Sequence, residues 1–422
     1  MKPSSYLVLL LLLLPLTTVM AEGGATVSEI RFVGNKVTQN QVMLREMVIH
    51  VGDPIDSVRI EKSRQAIMNL GLFKSVDASL EEGPVLVITV VERYYILPLP
   101  LLDVRPDGSY GYGADLRFDN LAGLNQHLKF SYEEKNSIGS NLPNSTERGV
   151  SYTYPRLSDS AYQLDFSTKL KRSVSLSTNP DQSQAHYQND AWNSTLGASR
   201  WANDDGISRG WRYGGGVNYL SNEYTFIDGV PGDRVDGHTV SIYATLDYLN
   251  VDDHAFYRDG NAFGVRGELG GPYFDSDFSF SREQVYYRAY HHLTSNDANI
   301  NSQWQFGFAN GCAFGCAAWS LGGTSLRGYD SSYVNGNVFA LMNLEYHHPM
   351  SGFNQFRGVV FTDIGDAWAD MESMTLNHLK SSVGVGFRWT VQSFVNVTLR
   401  MDYAYAIDAQ TYHAYFSTSA SF

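Results

Sequence analysis

The chain has 422 residues, 43% apolar and 13% aromatic, with 27 Tyr and 22 Phe beside 38 Gly. That mixture argues against disorder, a coiled coil and a helical membrane protein, and the length points to two or more units or one large β architecture. Lys and Arg number 31 against 44 Asp and Glu, a net charge of -13, so the chain lacks the cations a nucleic-acid partner requires.

Met1 and Lys2 form a short positive end, Tyr6 to Leu16 is an apolar run of about eleven residues, and Val19 and Ala21 occupy the -3 and -1 places of a cleavage site. Residues 1–21 therefore read as a signal peptide, with a mature chain starting near Glu22. The run is shorter than the roughly 20 residues a spanning helix needs. No Cys follows Ala21, so no lipid anchor is expected. Beyond it no stretch is long and apolar enough for a membrane helix, which leaves a secreted protein or a β-barrel.

Residues 25–93 read as one small αβ unit. Val27 to Val33 alternates as a strand with Ile30 and Phe32 on one face, Gly34-Asn35 turns, and Thr38 is placed to cap a helix through Ile49. Gly52-Asp53-Pro54 breaks that helix. Asp56 or Ser57 starts a second, with Ile60, Ile67 and Leu70 at helical spacing until Gly71. Leu72, Phe73 and Val76 lead into a strand, Glu81-Glu82-Gly83 turns, and Val85 to Val91 is the β-branched run of a buried central strand. The order is β-α-α-β-β.

This segment resembles a POTRA domain, the periplasmic module of outer-membrane translocation proteins. The resemblance rests on Ile30-Arg31-Phe32-Val33-Gly34-Asn35, on Leu70-Gly71-Leu72-Phe73 and on Val87-Ile88-Thr89-Val90-Val91-Glu92. A three-stranded sheet of this kind leaves an edge open to an extended chain, through main-chain bonds that ignore sequence. The client-binding edge is expected at Val76, Asp77, Ala78, Ser79 and Leu80. A spacer or a cap on the barrel is the alternative.

From residue 95 to 422 the pattern becomes that of a transmembrane barrel. Val395, Val397, Leu399, Met401 and Tyr403 alternate with Asn396, Thr398, Arg400 and Asp402, and a slip of one residue would put Arg400 in lipid. The same alternation runs through 383–391, 240–248 and 127–133. About sixteen such runs fit, at roughly 20 residues per strand and connection, which suits strands of about 9 to 11 residues with short periplasmic turns and long outer loops. Strand centres are expected near Leu102, Leu116, Phe130, Tyr152, Leu164, Leu196, Val217, Ile242, Val265, Tyr287, Gln305, Asn343, Val360, Val385, Leu399 and Phe416. The polar stretches Asn136 to Arg148, Ser173 to Gln188, Asn222 to Asp236 and Ala309 to Asn335 are expected as outer loops. The fold class is thus an all-β transmembrane barrel of about 16 antiparallel strands preceded by a small α+β domain.

Between the eleventh and twelfth strands lies Leu326-Arg327-Gly328-Tyr329-Asp330, after Gly322-Gly323-Thr324-Ser325. Further on is Phe361-Thr362-Asp363-Ile364-Gly365-Asp366-Ala367-Trp368. These elements resemble the V-R-G-[FY] and F-x-D-x-G-x-x-[WF] motifs of the outer-membrane insertase superfamily, the BamA/TamA proteins and their two-partner secretion relatives. The resemblance implies that the loop folds into the lumen and that Arg327 pairs with Glu345 and Asp363 on the inner faces of the next two strands, the pairing a guanidinium carried into a lumen needs. Gly328 would permit a tight turn and Tyr329 would pack on the inner wall. The end of the chain, Phe416, Ala420 and Phe422 on one face, resembles the insertion signal of bacterial barrels, with Ala420 small for its place. Leu101 to Asn120 resembles the family's first hairpin. Pro98 and Pro100 belong either to the first strand, where they weaken the closing seam, or to a preceding linker. Central insertases carry several POTRA modules and two-partner transporters two plus a plug helix, so one module suggests a specialised member.

Cys312 and Cys316 lie in the same loop as Arg327, and an exported chain with an even count favours a disulfide between them. Two thiols make a poor metal site, so no metal or cofactor is expected. His127, His238, His254, His291, His292, His347 and His348 show no spacing with a Ser that suggests a triad, so no enzyme is expected. The expected role is insertion or translocation of unfolded outer-membrane or secreted polypeptides. The barrel would stand in the lipid bilayer of the bacterial outer membrane, with the POTRA domain in the periplasm as the surface for a periplasmic partner. A passive pore, or a structural outer-membrane barrel without insertase activity, is the alternative reading.

Overall fold

Glu29–Val33 (β1) turns Ile30 and Phe32 to one side and Glu29, Arg31 and Val33 to the other. A computed structural model describes residues 25–104, 110–136, 143–178, 182–203, 207–232, 234–311 and 318–418. The signal segment, Cys312, Cys316, Ala420 and Phe422 lie outside the described residues. After β1 come helices Asn40–Leu44 (α1) and Ser57–Met68 (α2), then strands Phe73–Glu81 (β2) and Val85–Glu92 (β3). The sheet order is β1-β3-β2, with β3 parallel to β1 and antiparallel to β2. The β-branched run therefore takes the middle, and Leu86, Ile88 and Val90 pack against Ile67, Met43 and Phe73 in the core. Asp56 caps α2 by accepting from the Val58 N–H at 2.8 Å.

The first helix is shorter than expected, five residues rather than a run from Thr38 to Ile49. Thr38 does not cap it because its hydroxyl lies 3.0 Å from Tyr95 Oη and accepts from Asn120 Nδ2 at 3.0 Å. At the other end the Val48 and Ile49 N–H groups donate to Ser63 Oγ at 3.0 and 3.2 Å, which takes them out of a helical ladder.

From Ile96 onward the chain forms one 16-stranded antiparallel sheet. Its strands are Ile96–Val104 (β4), Tyr110–Leu121 (β5), Gln126–Asn136 (β6), Ser145–Tyr154 (β7), Tyr162–Thr178 (β8), Gln184–Trp201 (β9), Gly210–Gly229 (β10), Gly237–Asp253 (β11), Arg258–Gly270 (β12), Phe280–Leu293 (β13) and Ala298–Asn310 (β14). A loop carrying the short pair Trp319–Leu321 (β15) and Val334–Gly336 (β16) follows. Val338–Met350 (β17), Phe353–Trp368 (β18), Lys380–Thr390 (β19), Thr398–Ala406 (β20) and Thr411–Ser417 (β21) complete the sheet. Every expected strand centre falls inside one of these spans.

The outer boundaries differ from expectation. β8, β9 and β10 run to 17, 18 and 20 residues, so much of Ser173 to Gln188 and of Asn222 to Asp236 is ladder and not loop. Beyond the hydrocarbon layer a hairpin needs no apolar face. Register partners such as Thr225 of β10 and Gln188 of β9 carry it on with polar side chains.

The sheet is apolar outside and charged inside. Leu196, Val217, Val385 and Met401 on its outer face are exposed, whereas Arg327, Glu345, Asp363, Arg388 and Asp402 are buried within. Water would favour the reverse, and hydrocarbon around the outer face accounts for it. Among the described residues no helix is long and apolar enough to cross a membrane. The sheet ends at β4 and β21, and no register joins these two among the described residues. Pro98 and Pro100 lie within β4, opposite Leu116 and Ala114 of β5, and not in a linker.

Candidate functional site

The loop between β14 and β17 descends into the lumen and buries Leu326, Arg327, Gly328 and Tyr329. Period two explains what meets it. Asn343 of β17 is the register partner of Asp363 of β18, and Glu345 stands two residues along on the same inner face. Arg327 donates from Nε to Asp363 Oδ2 and from Nη2 to Asp363 Oδ1, both at 2.6 Å, a bidentate fork. Its Nη1 donates to Glu345 Oε1 at 2.6 Å and to Asp402 Oδ2 at 3.0 Å. The Arg327 main-chain N–H also reaches Asp363 Oδ2 at 3.0 Å, and the guanidinium lies 3.5 Å from the centre of the Phe361 ring. Asn343 Nδ2 holds the loop from the wall, donating to Ser325 O at 2.9 Å and to Asp363 Oδ1 at 2.8 Å.

Sequence reasoning placed Arg388, Arg400 and Asp402 on the polar face of their strands without assigning them partners. Arg388 and Arg400 stand directly opposite each other, and Asp402 separates the two like charges, accepting from Arg388 Nη1 at 2.5 Å and from Arg400 Nε at 2.6 Å. The cluster thus holds three guanidiniums, Arg327, Arg388 and Arg400, against three carboxylates, Glu345, Asp363 and Asp402. With charges balanced and lone pairs occupied, its burial is tolerable.

Tyr329 packs with Leu321, Leu326, Phe339, Leu341 and Ala406. Its hydroxyl accepts from the Ser381 N–H at 2.9 Å and donates to the Asp408 carboxylate. Gly328 has φ +93°, and an added Cβ there would come within 2.7 Å of Ala406 N. The residue is therefore glycine for both conformation and space. On β21, Phe416 faces outward and Tyr415 inward, toward the loop.

In the N-terminal domain Val76, Asp77, Ala78, Ser79 and Leu80 fall on β2, an edge of the sheet. Val76 is buried in the core, and Asp77 and Leu80 are exposed. The Val76 carbonyl is already occupied by Arg64 Nη1 at 3.2 Å.

This domain grips the rim of the barrel, a contact that sequence reasoning did not resolve beyond the option of a cap. Glu46, buried, accepts from Arg156 Nε at 3.2 Å, from the Ser208 N–H at 2.7 Å and from Ser208 Oγ at 3.0 Å. Asn69 donates to Asp252 Oδ1 at 3.0 Å and accepts from the Asp253 N–H at 2.9 Å. Val395, in the connection between β19 and β20, completes the domain's own apolar core. Glu92 accepts from the N–H groups of Lys36 at 3.0 Å, Val37 at 3.1 Å and Thr38 at 2.7 Å, which fixes the segment leading to the rim. Burial pushes this carboxyl up, but the donors, led by Thr38, outweigh it and hold it below the usual range.

Comparison with known proteins agrees with this architecture. A family model described as the Omp85 superfamily domain matches residues 120–422, and one described as POTRA, surface antigen variable number repeat, matches residues 25–93. The outer membrane protein assembly factor BamA of Nitratidesulfovibrio vulgaris (Hildenborough) is 38% identical over 73 residues, a match that spans 17% of this chain and 9% of that protein. Among solved structures, BamA from Haemophilus ducreyi lacking POTRA domains 1-3 is 16% identical at a TM-score of 0.53, covering 93% of this chain and 84% of that one. CdiB from Escherichia coli is 15% identical at a TM-score of 0.65, covering 94% and 74%. The shared barrel and the single matched POTRA unit make this chain a member of the Omp85 superfamily.

Proposed function

We propose that this protein inserts polypeptides into, or passes them across, the bacterial outer membrane, with its POTRA domain in the periplasm. The observation that carries the reading is the seam. β4 and β21 are the first and last strands of the sheet, and Pro98 and Pro100 remove two N–H donors from β4. A seam with few bonds can part toward the bilayer and offer its edges to a client strand, which replaces bonds lost with bonds gained and needs neither nucleotide nor cofactor. The β2 edge from Val76 to Leu80 receives the extended client first. Arg327, Gly328, Tyr329, Glu345 and Asp363 hold the loop in the lumen and brace the wall opposite the opening. Phe416, with Ala420 and Phe422, serves the chain's own insertion. The name of the Nitratidesulfovibrio relative, an assembly factor, supports this assignment.

The test is a reversible lock. One Cys is placed on β4 and one beside Phe416 on β21, and insertion of model barrels into liposomes is measured with the pair oxidised and reduced. Loss of activity on oxidation, restored by reductant, is expected. Full activity with the seam locked would remove the gate and leave a passive pore, whose planar-bilayer conductance would be large and steady.

A further inference from the structure

We infer that the tip of the lumen loop is a latch on the closing hairpin, so that release of β21 from the seam and undocking of the loop tip are one coupled transition. Tyr415 and Thr411 are its positioning residues. The proposal deepens the seam reading by naming what restrains the last strand, and its readouts do not depend on insertion activity.

Two of the attachments that hold β21 lie among the described residues and concern the gate. One is its ladder with β20, from Arg400 opposite Ser417 to Ala406 opposite Thr411. The other is the loop. The Gly328 N–H donates to Tyr415 Oη at 3.0 Å, the Thr411 hydroxyl donates to Gly328 O at 2.8 Å, and Tyr415 Oη lies 3.4 Å from Tyr329 O. Both main-chain groups of Gly328 are thus taken by side chains of the strand that must move. The neighbouring connection joins in, because Asp408, between β20 and β21, accepts from Tyr329 and pairs with Lys380 at 3.0 Å.

The loop's other anchor has a different address. Arg327 binds Asp363, Glu345 and Asp402 on β18, β17 and β20, none of which is a seam strand. Arg327 therefore fixes the loop to the wall while Gly328 and Tyr329 hold the gate. Swinging β21 toward a client carries Tyr415 and Thr411 away and leaves the Gly328 N–H and C=O without partners in a closely packed place, where no Cβ fits. Coupling of this kind is reciprocal: what loosens the tip loosens β21, and what pins β21 protects the tip.

The test places a reporter thiol at the buried Leu326 (L326C) in a background with C312S and C316S, in folded, heat-modifiable protein in liposomes. Maleimide labelling then reads undocking. T411V with Y415F removes the two hydroxyls while keeping shape, and labelling should rise about tenfold to thirtyfold, as expected for two neutral hydrogen bonds. Cysteines placed across the seam should crosslink faster by a similar factor in that variant. In the second arm, which needs no change at Thr411 or Tyr415, oxidising the seam pair should slow labelling of L326C. Unchanged labelling in T411V/Y415F, or labelling indifferent to the seam lock, overturns the latch.

Discussion

Replacing Arg327 by Met tests the lumen anchor most directly. The side chain makes four hydrogen bonds to carboxylate oxygens, at 2.6, 2.6, 2.6 and 3.0 Å. At about 1.5 to 3 kcal/mol per bond to a charged group the gross interaction is roughly 6 to 12 kcal/mol, and desolvation of the guanidinium offsets a large part of it. After the change, three carboxylates face two guanidiniums. Asp402 and Glu345 keep Arg388, at 2.5 and 3.2 Å, whereas Asp363 retains the Asn343 amide and the main-chain N–H of residue 327. The uncompensated charge therefore falls on Asp363, and the net loss should be about 3 to 5 kcal/mol, the usual effect of removing one partner of a buried pair. At 1.36 kcal/mol per factor of ten that shifts the docked loop toward release by roughly two to three and a half powers of ten. The readouts are the temperature at which the folded band is lost on semi-native gels and the labelling of a thiol at Leu326. R327K keeps the charge without the fork and should fall between parent and R327M. In R327M/D363N the orphaned carboxylate is gone and part of the loss should be recovered. If R327M matches the parent in melting and labelling, the cluster does not hold the loop and the reasoning is wrong.

Three further outcomes are expected. G328A should destabilise the docked tip by at least 1 kcal/mol, because it adds a Cβ 2.7 Å from Ala406 N at a left-handed φ; the folded band on semi-native gels checks this. E92Q should loosen the segment Lys36 to Thr38. Because the Glu92 carboxyl lies below its ordinary value of 4.5 in the folded protein, its contribution is complete above that value and fades as pH falls through the depressed one, so amide exchange at these residues should show an acid step that E92Q lacks. E46A removes the acceptor shared by Arg156 Nε and the Ser208 N–H and hydroxyl and should weaken POTRA docking by about 1.5 to 3 kcal/mol, measured as faster proteolysis between domain and barrel; an unchanged rate would mean that the remaining contacts, among them Asn69 with Asp252 and Thr38 with Asn120, suffice to hold the domain.

Much of this fold could be read from the order of residues because its main signal is local. Side chains of a strand alternate whatever the strand pairs with, so the faces of β17 and β20, and with them the inward placement of Glu345 and Asp402, follow from neighbours in the chain, whereas that of Asp363 comes from the resemblance of its motif. The αβ unit was equally legible, through Asp56 as a cap and the β-branched run of β3. Alternation does not stop at the edge of the hydrocarbon, however, and polar register partners such as Thr225 with Gln188 continue a ladder where composition suggests a loop. Nor can a period of two say which inward residues meet. Arg388 and Arg400 belong to one cluster with Arg327 only because the sheet curves around a loop that descends to their level. The grip of the POTRA domain on the rim lies further still from local pattern. Thr38, Glu46 and Asn69 are ordinary polar residues whose partners stand 82, 110 and 183 positions away. Thr38 was expected to cap a helix because that is the nearest use for a hydroxyl, and folding instead gave it Tyr95 and Asn120. Local spacing determined strands, faces and turns, and the packing of distant segments against one another decided which charges are paired and which hydroxyls are spent.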